Sequence, residues 1–145
     1  MSLTVHFVFL GCTRRPECRA LFGDYVGRIQ RFANVLVTEL REPGDAALTR
    51  IKTQATARWV LLDAGGRQFT SQEFAHWLGK LRDRSVREVV LLCGNDTGFP
   101  DSFRERAQEA VSLSTLTMPH ELARVLLAEQ LYRSFCILSH HPYAK

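Results

Sequence analysis

Short continuous apolar runs alternate along this chain with longer segments in which apolar residues recur every three to four positions. Continuous runs are typical of strands that are buried on both faces, as in a parallel sheet. They predict strands over residues 3–9, 34–40, 59–62 and 88–93, and a further short strand over 113–116.

The periodic segments predict helices between these strands. The first helix begins at Pro16, runs for about four turns and buries a stripe of apolar residues that ends at Phe32. After a turn at 42–45, which contains Pro43 and Gly44, a weaker polar helix is expected over residues 46–57.

Two capping boxes locate the starts of later helices. Thr70 with Glu73 predicts a helix over residues 71–83, and Ser102 with Glu105 predicts one that ends near residue 110. A turn is expected at residues 65–66 because both are glycine, and Pro119 fits the first turn of a long helix that ends near residue 134.

Strands that alternate with helices at these lengths indicate βαβ units and a parallel sheet. We find no linker or internal repeat, so residues 1–145 are predicted to form one α/β domain.

Composition removes several classes of protein. With 46% hydrophobic and 23% charged residues the chain is expected to be folded, and no apolar run approaches the ~20 residues that cross a bilayer. A secretory leader is not recognisable, which favours a cytoplasmic protein. The four cysteines lie far apart and form no Cys-x-x-Cys pair, so free thiols are expected and a metal site is not.

The formal net charge of +4 and a pI of about 9.1 favour a polyanionic partner such as nucleic acid. Such a surplus is common, and most of the basic residues are arginine, which can follow from the base composition of the gene. The charge alone therefore favours nucleic acid only modestly.

Three loops follow predicted strands, at residues 62–66, 93–98 and 113–119. In open α/β sheets, ligands bind beyond the carboxyl ends of the strands, so these loops mark the expected site. Gly94 and Gly98 either let a ligand approach the backbone or are ordinary turn glycines. Hydroxyl residues 112–117 bind a ligand or serve as loop and cap hydrogen bonders, and no phosphate-binding or nucleophile-elbow motif is present.

The long helix after Pro119 is apolar around most of its circumference, which indicates burial on more than one side. Either an intramolecular core or a second subunit could cover it, and a two-fold dimer is the favoured interpretation. Polar groups also concentrate at or after this helix: His120, Arg124, His140, His141 and Tyr143.

Three successive stretches carry a family resemblance: SLSTLTMPH at residues 112–120, ELARVLLAEQLYR at 121–133 and HPY at 141–143. This succession resembles the RlmH family of SPOUT-class methyltransferases, and weaker agreement covers nearly the whole chain. The resemblance implies a parallel-sheet SPOUT fold with a C-terminal trefoil knot, and a homodimer. The implied activity is methylation of N3 of a pseudouridine in 23S rRNA of the assembled ribosome, with S-adenosylmethionine as the methyl donor.

The resemblance also implies which residues form the site. The cofactor is expected to be held by Leu62, Gly94, Leu113, Ser114, Thr115, Leu116, Thr117 and Met118. Because the N3–H group of the base must lose its proton, a general base or a cationic group is needed. The catalytic candidates are His120, Arg124, His141 and Tyr143.

Two positions depart from the family pattern. Asn95 stands where relatives carry a second loop glycine, and Ala144 stands where they carry a histidine before a basic residue, here Lys145. These departures leave open a second interpretation, a non-catalytic relative that binds RNA or the ribosome. A third, an unrelated flavodoxin-like nucleotide-binding protein, fits the alternating pattern but not the C-terminal stretches.

Overall fold

The computed structural model describes residues 2–42 and 44–144, so Met1, Pro43 and Lys145 lie outside the described residues. Its strands are β1 (Thr4–Leu10), β2 (Asn34–Leu40), β3 (Arg58–Gln68), β4 (Glu88–Cys93) and β5 (Glu109–Ser112). Its α-helices are α1 (Pro16–Ile29), α2 (Ser71–Asp83), α3 (Asp101–Arg106) and α4 (His120–Leu138). Two 3-10 helices, Asp45–Arg50 and Pro142–Ala144, complete the described structure.

The strands form one sheet in the order β2-β1-β4-β3-β5. Every pair in it is parallel, which confirms the predicted α/β class. The two central strands, β1 and β4, are buried along their whole length, as their continuous apolar sequence requires.

The two faces of the sheet are covered differently. On one face α1, α2 and α4 pack over Phe7, Val60 and Leu91. On the other, the first 3-10 helix and α3 cover Leu10 and Leu92. The chain is therefore a three-layer α/β/α domain with its long helices on one side.

Local chemistry explains why α2 begins where the sequence predicts. The Thr70 hydroxyl accepts a hydrogen bond from the Glu73 amide at 3.1 Å, and the Glu73 carboxylate accepts one from the Thr70 amide at 2.7 Å. This reciprocal capping box confirms the prediction for α2, and β4 also has its predicted bounds.

The predicted helix over residues 46–57 is wrong, because only the 3-10 helix Asp45–Arg50 forms there. Beyond it, the Gln54 amide donates to the buried Glu88 carboxylate at 2.8 Å, and Ile51 packs on the sheet. These tertiary contacts take the place of helical hydrogen bonds.

The predicted capping box at Ser102 is also wrong. Pro100 precedes the first residue of α3, and the Ser102 hydroxyl donates instead to the Asp45 carboxylate at 2.7 Å. The helix ends at Arg106, short of the predicted residue 110, because the chain then extends into β5.

Gly65 and Gly66 do not form the predicted turn, since β3 continues through them to Gln68. The β3–β5 pairing shifts register between Leu62 and Arg67, both of which lie opposite Val111. A Cβ atom on Gly66 would lie 2.6 Å from the carbonyl carbon of Ala110, so only glycine allows the two backbones to pass this closely. This pairing forms the last strand at Glu109–Ser112, not at the predicted residues 113–116. The knot stays a prediction.

Helix α4 extends to Leu138, past the predicted end near residue 134. Most of its apolar residues are buried inside this one chain, where α4 packs on α1 and α2. Leu122 and Leu126 are the exceptions, with 39% and 43% of their surface exposed. The apolar circumference is therefore largely explained by an intramolecular core, and only one flank of the helix still needs a cover.

Candidate functional site

The carboxyl ends of β4 and β5 lie at one edge of the sheet, beside the middle of β3. Leu62 of β3 lies opposite Cys93 of β4 on one side and Val111 of β5 on the other, so the loops after β4 and β5 start beside Leu62, although β3 itself continues to Gln68. A cavity of about 270 Å³ opens there, beside the first turn of α4. Its lining comprises Leu62, Asp63, Ala64, Cys93, Gly94, Asn95, Gly98, Phe99, Arg104, Leu113, Ser114, Leu116, Thr117, Met118, His120 and Ala123.

The residues expected to hold a cofactor converge on this cavity. Leu62, Gly94 and all but one of residues 113–118 line it; Thr115 does not. Leu62, Leu113 and Met118 supply apolar walls, and Leu116, which is 75% exposed, stands at the mouth. Three stretches that are distant in sequence thus form one concave surface, as expected of a ligand site in this class of sheet.

The glycine loop forms the second wall of the cavity. A Cβ atom on Gly94 would lie 3.4 Å from the Phe99 ring, which is tight, and Gly98 has a φ of +82° that favours glycine. Asn95 is not in the left-handed region; its side chain accepts hydrogen bonds from the Thr97 amide at 3.0 Å and the Thr97 hydroxyl at 2.7 Å. The backbone of this loop therefore does not require a glycine at position 95.

The hydroxyl segment is shaped by its own hydrogen bonds. The Ser114 hydroxyl accepts from the Leu116 amide at 3.0 Å, and the Ser112 hydroxyl donates to the Ser114 carbonyl at 3.1 Å. These contacts are those of a serine turn, so the two serines position the backbone around the cavity.

Sequence reasoning did not single out four polar or aromatic residues of the lining: Asp63, Cys93, Phe99 and Arg104. Burial raises the pKa of the Cys93 thiol to about 12, against the opposing effect of the Arg124 guanidinium, so the thiol is protonated at neutral pH and is a poor nucleophile. Arg104 lies on α3, and no sequence motif connects that helix with β3, so only the fold could bring Arg104 and Asp63 together.

The four catalytic candidates occupy three different places. His120 lines the cavity, at the first residue of α4. Arg124, one turn later, is 1% exposed and is not part of the lining. His141 and Tyr143 lie beyond the other end of the helix. The Tyr143 hydroxyl reaches back along α4 only to Glu129, which lies nine residues after His120 and therefore about 14 Å away along the helix axis, so one chain does not bring the four together.

Arg124 supports the loop between β1 and α1. Its guanidinium donates to the Thr13 hydroxyl at 2.8 Å and to the Leu10 carbonyl at 3.1 Å, and it lies over the Phe9 ring at 4.4 Å. Burial lowers its pKa, and neighbours including Glu39, 4.0 Å away, partly offset that effect. Arg124 therefore ties the end of β1 and the β1–α1 loop to α4 and does not line the cavity.

Glu121 supports the same loop from the start of α4. Its carboxylate accepts the amides of Arg14 at 3.1 Å and Arg15 at 2.8 Å. Although desolvation works against the charged form, these amides hold the pKa of Glu121 below its usual value. The exposed loop at the start of α1 is thus fixed next to His120.

A side-chain cluster lies along the second half of α4. The Tyr143 hydroxyl donates to the Glu129 carboxylate at 2.9 Å, and Arg133 pairs with the same carboxylate at 2.7 Å. The Tyr143 ring packs on Tyr132 at 4.6 Å. Burial and the bond to Glu129 raise the pKa of Tyr143, so its hydroxyl is a donor rather than a base at neutral pH. His141 is exposed and accepts a hydrogen bond from the Tyr143 amide at 3.2 Å.

All four cysteines are free thiols. Within residues 2–42 and 44–144, His, Cys, Asp and Glu side chains form no group of three that could hold a metal ion. In the same part of the chain, no helix has the length and apolarity that crossing a membrane would need. Two features noted from the sequence, the Ala144 side chain and the Lys145 cation, lie outside the described residues.

Comparison with known proteins identifies the family to which the chain is similar. A family model described as "Predicted SPOUT methyltransferase" matches residues 3–144. A protein of Geobacter metallireducens named "Ribosomal RNA large subunit methyltransferase H" is 38% identical over 151 aligned positions, covering 97% of this chain and 98% of that protein. A protein of the same name from Solibacter usitatus is 36% identical, covering 99% of this chain and 100% of that protein. Another from Gloeobacter violaceus is 38% identical, covering 97% of this chain and 98% of that protein.

Proposed function

The chain belongs to the family of SPOUT methyltransferases, and from that premise we propose that it methylates N3 of a pseudouridine in the 23S rRNA of the assembled ribosome, using S-adenosylmethionine. The single observation that carries the proposal is the convergence of Leu62, Gly94 and the 113–118 loop on one cavity at the carboxyl edge of the sheet. A ribosomal substrate places the protein in the cytoplasm.

The residues of the cavity fit the cofactor. Leu62, Leu113 and Met118 offer apolar surface for the adenine ring, and the strand-end loops offer backbone amides and carbonyls for its polar edge. Gly94 leaves open the space beside Phe99 that a side chain would fill. When bound, S-adenosylmethionine supplies a methyl group on a sulfonium, which is already activated for transfer.

The chain then has two tasks, to position the target nitrogen and to remove its proton. Positioning contributes most in such a reaction, because the barrier falls when the reacting atoms are held in line. His120 is the catalytic candidate that lines the cavity, so we assign to it the removal of the proton from the target nitrogen. Arg124 is assigned a positioning role, since its guanidinium holds Thr13 and Leu10 rather than facing the cavity.

Recognition of RNA needs cationic side chains near the mouth of the cavity. Arg14 and Arg15 are exposed, and Glu121 fixes their backbone amides next to His120. Contacts between arginine and phosphate position a nucleic acid without reading its sequence. We therefore assign this loop to the RNA backbone.

We further propose a homodimer in which each cavity is completed by the partner's tail. Three exposed leucines lie at the mouth of the cavity and along the adjacent flank of α4: Leu116, Leu122 and Leu126. A second copy would cover them. In a two-fold arrangement, the tail of the second copy, with its His141 and Tyr143, would also lie at the cavity of the first, which the first chain's own tail does not reach. This separation along α4 is what supports a shared site.

The decisive experiment is transfer of a labelled methyl group to ribosomes that lack the modification, with the product mapped by mass spectrometry. We expect one methyl group on N3 of a single pseudouridine, and loss of transfer in His120→Asn with unchanged cofactor affinity. Calorimetric titration of S-adenosylmethionine is run in parallel. Cofactor or ribosome binding without any transfer would contradict the proposed activity and favour the non-catalytic relative.

A further inference from the structure

An ion pair lies on the wall of the cavity and is not explained by the residues assigned so far. Asp63 follows Leu62 on β3, and Arg104 lies on α3. Their side chains approach to 3.7 Å, between Oδ2 and Nη1, and both remain substantially exposed, at 38% and 48%. The Arg104 guanidinium also lies 5.8 Å from the centre of the Phe99 ring, which is part of the same wall.

Among the described residues that line the cavity, Asp63 is the one acid and Arg104 the one permanent cation. The rest of the lining is apolar, backbone or hydroxyl, apart from His120, Asn95 and the Cys93 thiol. Opposite charges are therefore concentrated at one place in a cavity that is otherwise suited to a nucleoside.

We propose that Asp63 and Arg104 bind the amino-acid end of the cofactor, the carboxylate of Asp63 taking its ammonium group and the guanidinium of Arg104 taking its carboxylate. The inference rests on the proposed function, because it assumes that the cavity binds S-adenosylmethionine. It adds a subsite of stated chemistry, a zwitterion clamp, to the adenosine-binding walls.

Two properties of the pair suit it to this task. An exposed ion pair at 3.7 Å is weak, so separating the two groups around a ligand costs little. A zwitterionic amino acid then offers each group a new partner of opposite charge, and an arginine can bind a carboxylate through two parallel hydrogen bonds. The apolar walls cannot bind such charged groups, since burying a charge without a partner is costly.

The competing explanation is that the pair only ties α3 to the middle of β3. The two explanations differ in how affinity depends on the ligand. A structural tie would affect every ligand of the cavity alike, whereas a zwitterion clamp would affect only ligands that carry the amino-acid end.

The test uses S-adenosylhomocysteine and 5′-methylthioadenosine, two neutral-sulfur thioethers of the same nucleoside that differ in the amino-acid end. Calorimetric titration gives both dissociation constants for the wild type, Arg104→Gln, Asp63→Asn and Arg104→Lys. We expect the wild type to prefer S-adenosylhomocysteine by at least about tenfold. Arg104→Gln and Asp63→Asn should each reduce this preference to within about threefold, and their affinity for methylthioadenosine should be unchanged. Arg104→Lys should keep part of the preference, because it keeps the charge but not the bidentate geometry.

Arg106→Gln is the matched control. Arg106 is on the same short helix, but its guanidinium lies over the Trp59 ring at 4.3 Å and is not part of the cavity lining. It should leave both affinities at the wild-type level. A wild type that binds the two ligands equally, or variants that keep the full preference, would overturn the clamp. A wild type that binds neither ligand would instead overturn the proposed function.

Discussion

The two ends of α4 carry the predicted functional residues in different ways. At its start, a cavity is formed by the middle of β3 and the loops after β4 and β5, with His120 at its edge. Along its second half, Glu129, Arg133 and Tyr143 form a cluster of side-chain hydrogen bonds. The first end is suited to enclosing a small molecule and the second to presenting polar groups to something that arrives from outside.

This difference indicates a division of labour. Binding of the cofactor should depend on the space and backbone shape at the start of α4, and the reaction should depend additionally on the tail. Variants at the two ends are therefore expected to fail in different measurements.

The largest effect is expected from filling the cavity. Gly94→Val places a branched side chain where even a Cβ atom would lie 3.4 Å from the Phe99 ring. We expect the dissociation constant of S-adenosylhomocysteine to rise at least about 100-fold by calorimetry, equivalent to about 2.7 kcal/mol. Gly23→Ala, at an exposed position of α1 where an added Cβ meets no atom within 4 Å, should leave it unchanged. Wild-type affinity in Gly94→Val would place the binding site elsewhere.

The second prediction tests whether the tail serves its own cavity or its partner's. Gly94→Val and a tail variant, His141→Ala with Tyr143→Phe, should each transfer methyl groups poorly to ribosomes. If the tail acts across a dimer, mixing the two after dissociation creates heterodimers with one intact site, and activity should recover to about a quarter of wild type.

The tail variant keeps the Tyr143 ring on Tyr132 and removes the hydroxyl that donates to Glu129 and the exposed His141 imidazole, so a folding defect is not expected. Its affinity for S-adenosylhomocysteine should remain within about threefold of wild type, which separates the two ends of α4. An unrecovered mixture whose heterodimers are demonstrated by mass would mean that each tail acts within its own chain.

The third prediction concerns Arg124, which joins α4 to the β1–α1 loop. Arg124→Met removes the donors to Leu10 and Thr13 and leaves their oxygens unpaired. We expect a loss of about 2 kcal/mol in the free energy of unfolding, which corresponds to a fall of about 7 °C in Tm. The exposed Arg82, replaced in the same way, should change Tm by less than about 2 °C. An unchanged Tm in Arg124→Met would remove the positioning role.

The elements that could be predicted from the sequence are those that neighbouring residues specify. Strands β1 and β4 have continuous apolar runs and α2 has a complete capping box, so periodicity and local chemistry specify them. The 46–57 segment fails because Glu88, far along the chain, binds the Gln54 amide and replaces the helical bond. The capping box predicted at Ser102 is wrong for the same reason, since the Ser102 hydroxyl donates to Asp45, which is distant in sequence.

The candidate site divides in the same way. The loops after β4 and β5 followed from the rule for parallel sheets, and the resemblance assigned their residues. The third loop, predicted at residues 62–66, is wrong because β3 continues through it. The Asp63–Arg104 pair could not be predicted, because it depends on where α3 packs relative to β3. The turn expected at Gly65–Gly66 was instead a register shift, which requires knowledge of the backbone of Ala110 on the neighbouring strand.

The smallest effect is expected from Glu121, whose carboxylate holds the β1–α1 loop at the cavity end of α4. Its pKa in the folded chain is below its ordinary value, so the stability that it contributes is present above that ordinary pKa and is lost as the pH falls through the folded value. We expect Glu121→Gln to lower the free energy of unfolding by about 1 kcal/mol at neutral pH, because the amide is a weaker acceptor for Arg14 and Arg15. Urea unfolding between about pH 7 and pH 3 should show the difference from wild type shrinking with acidification. Glu105→Gln, at an exposed position of α3, should run parallel to wild type over the same range. A constant difference at every pH would mean that Glu121 stabilises the loop by packing rather than by its charge.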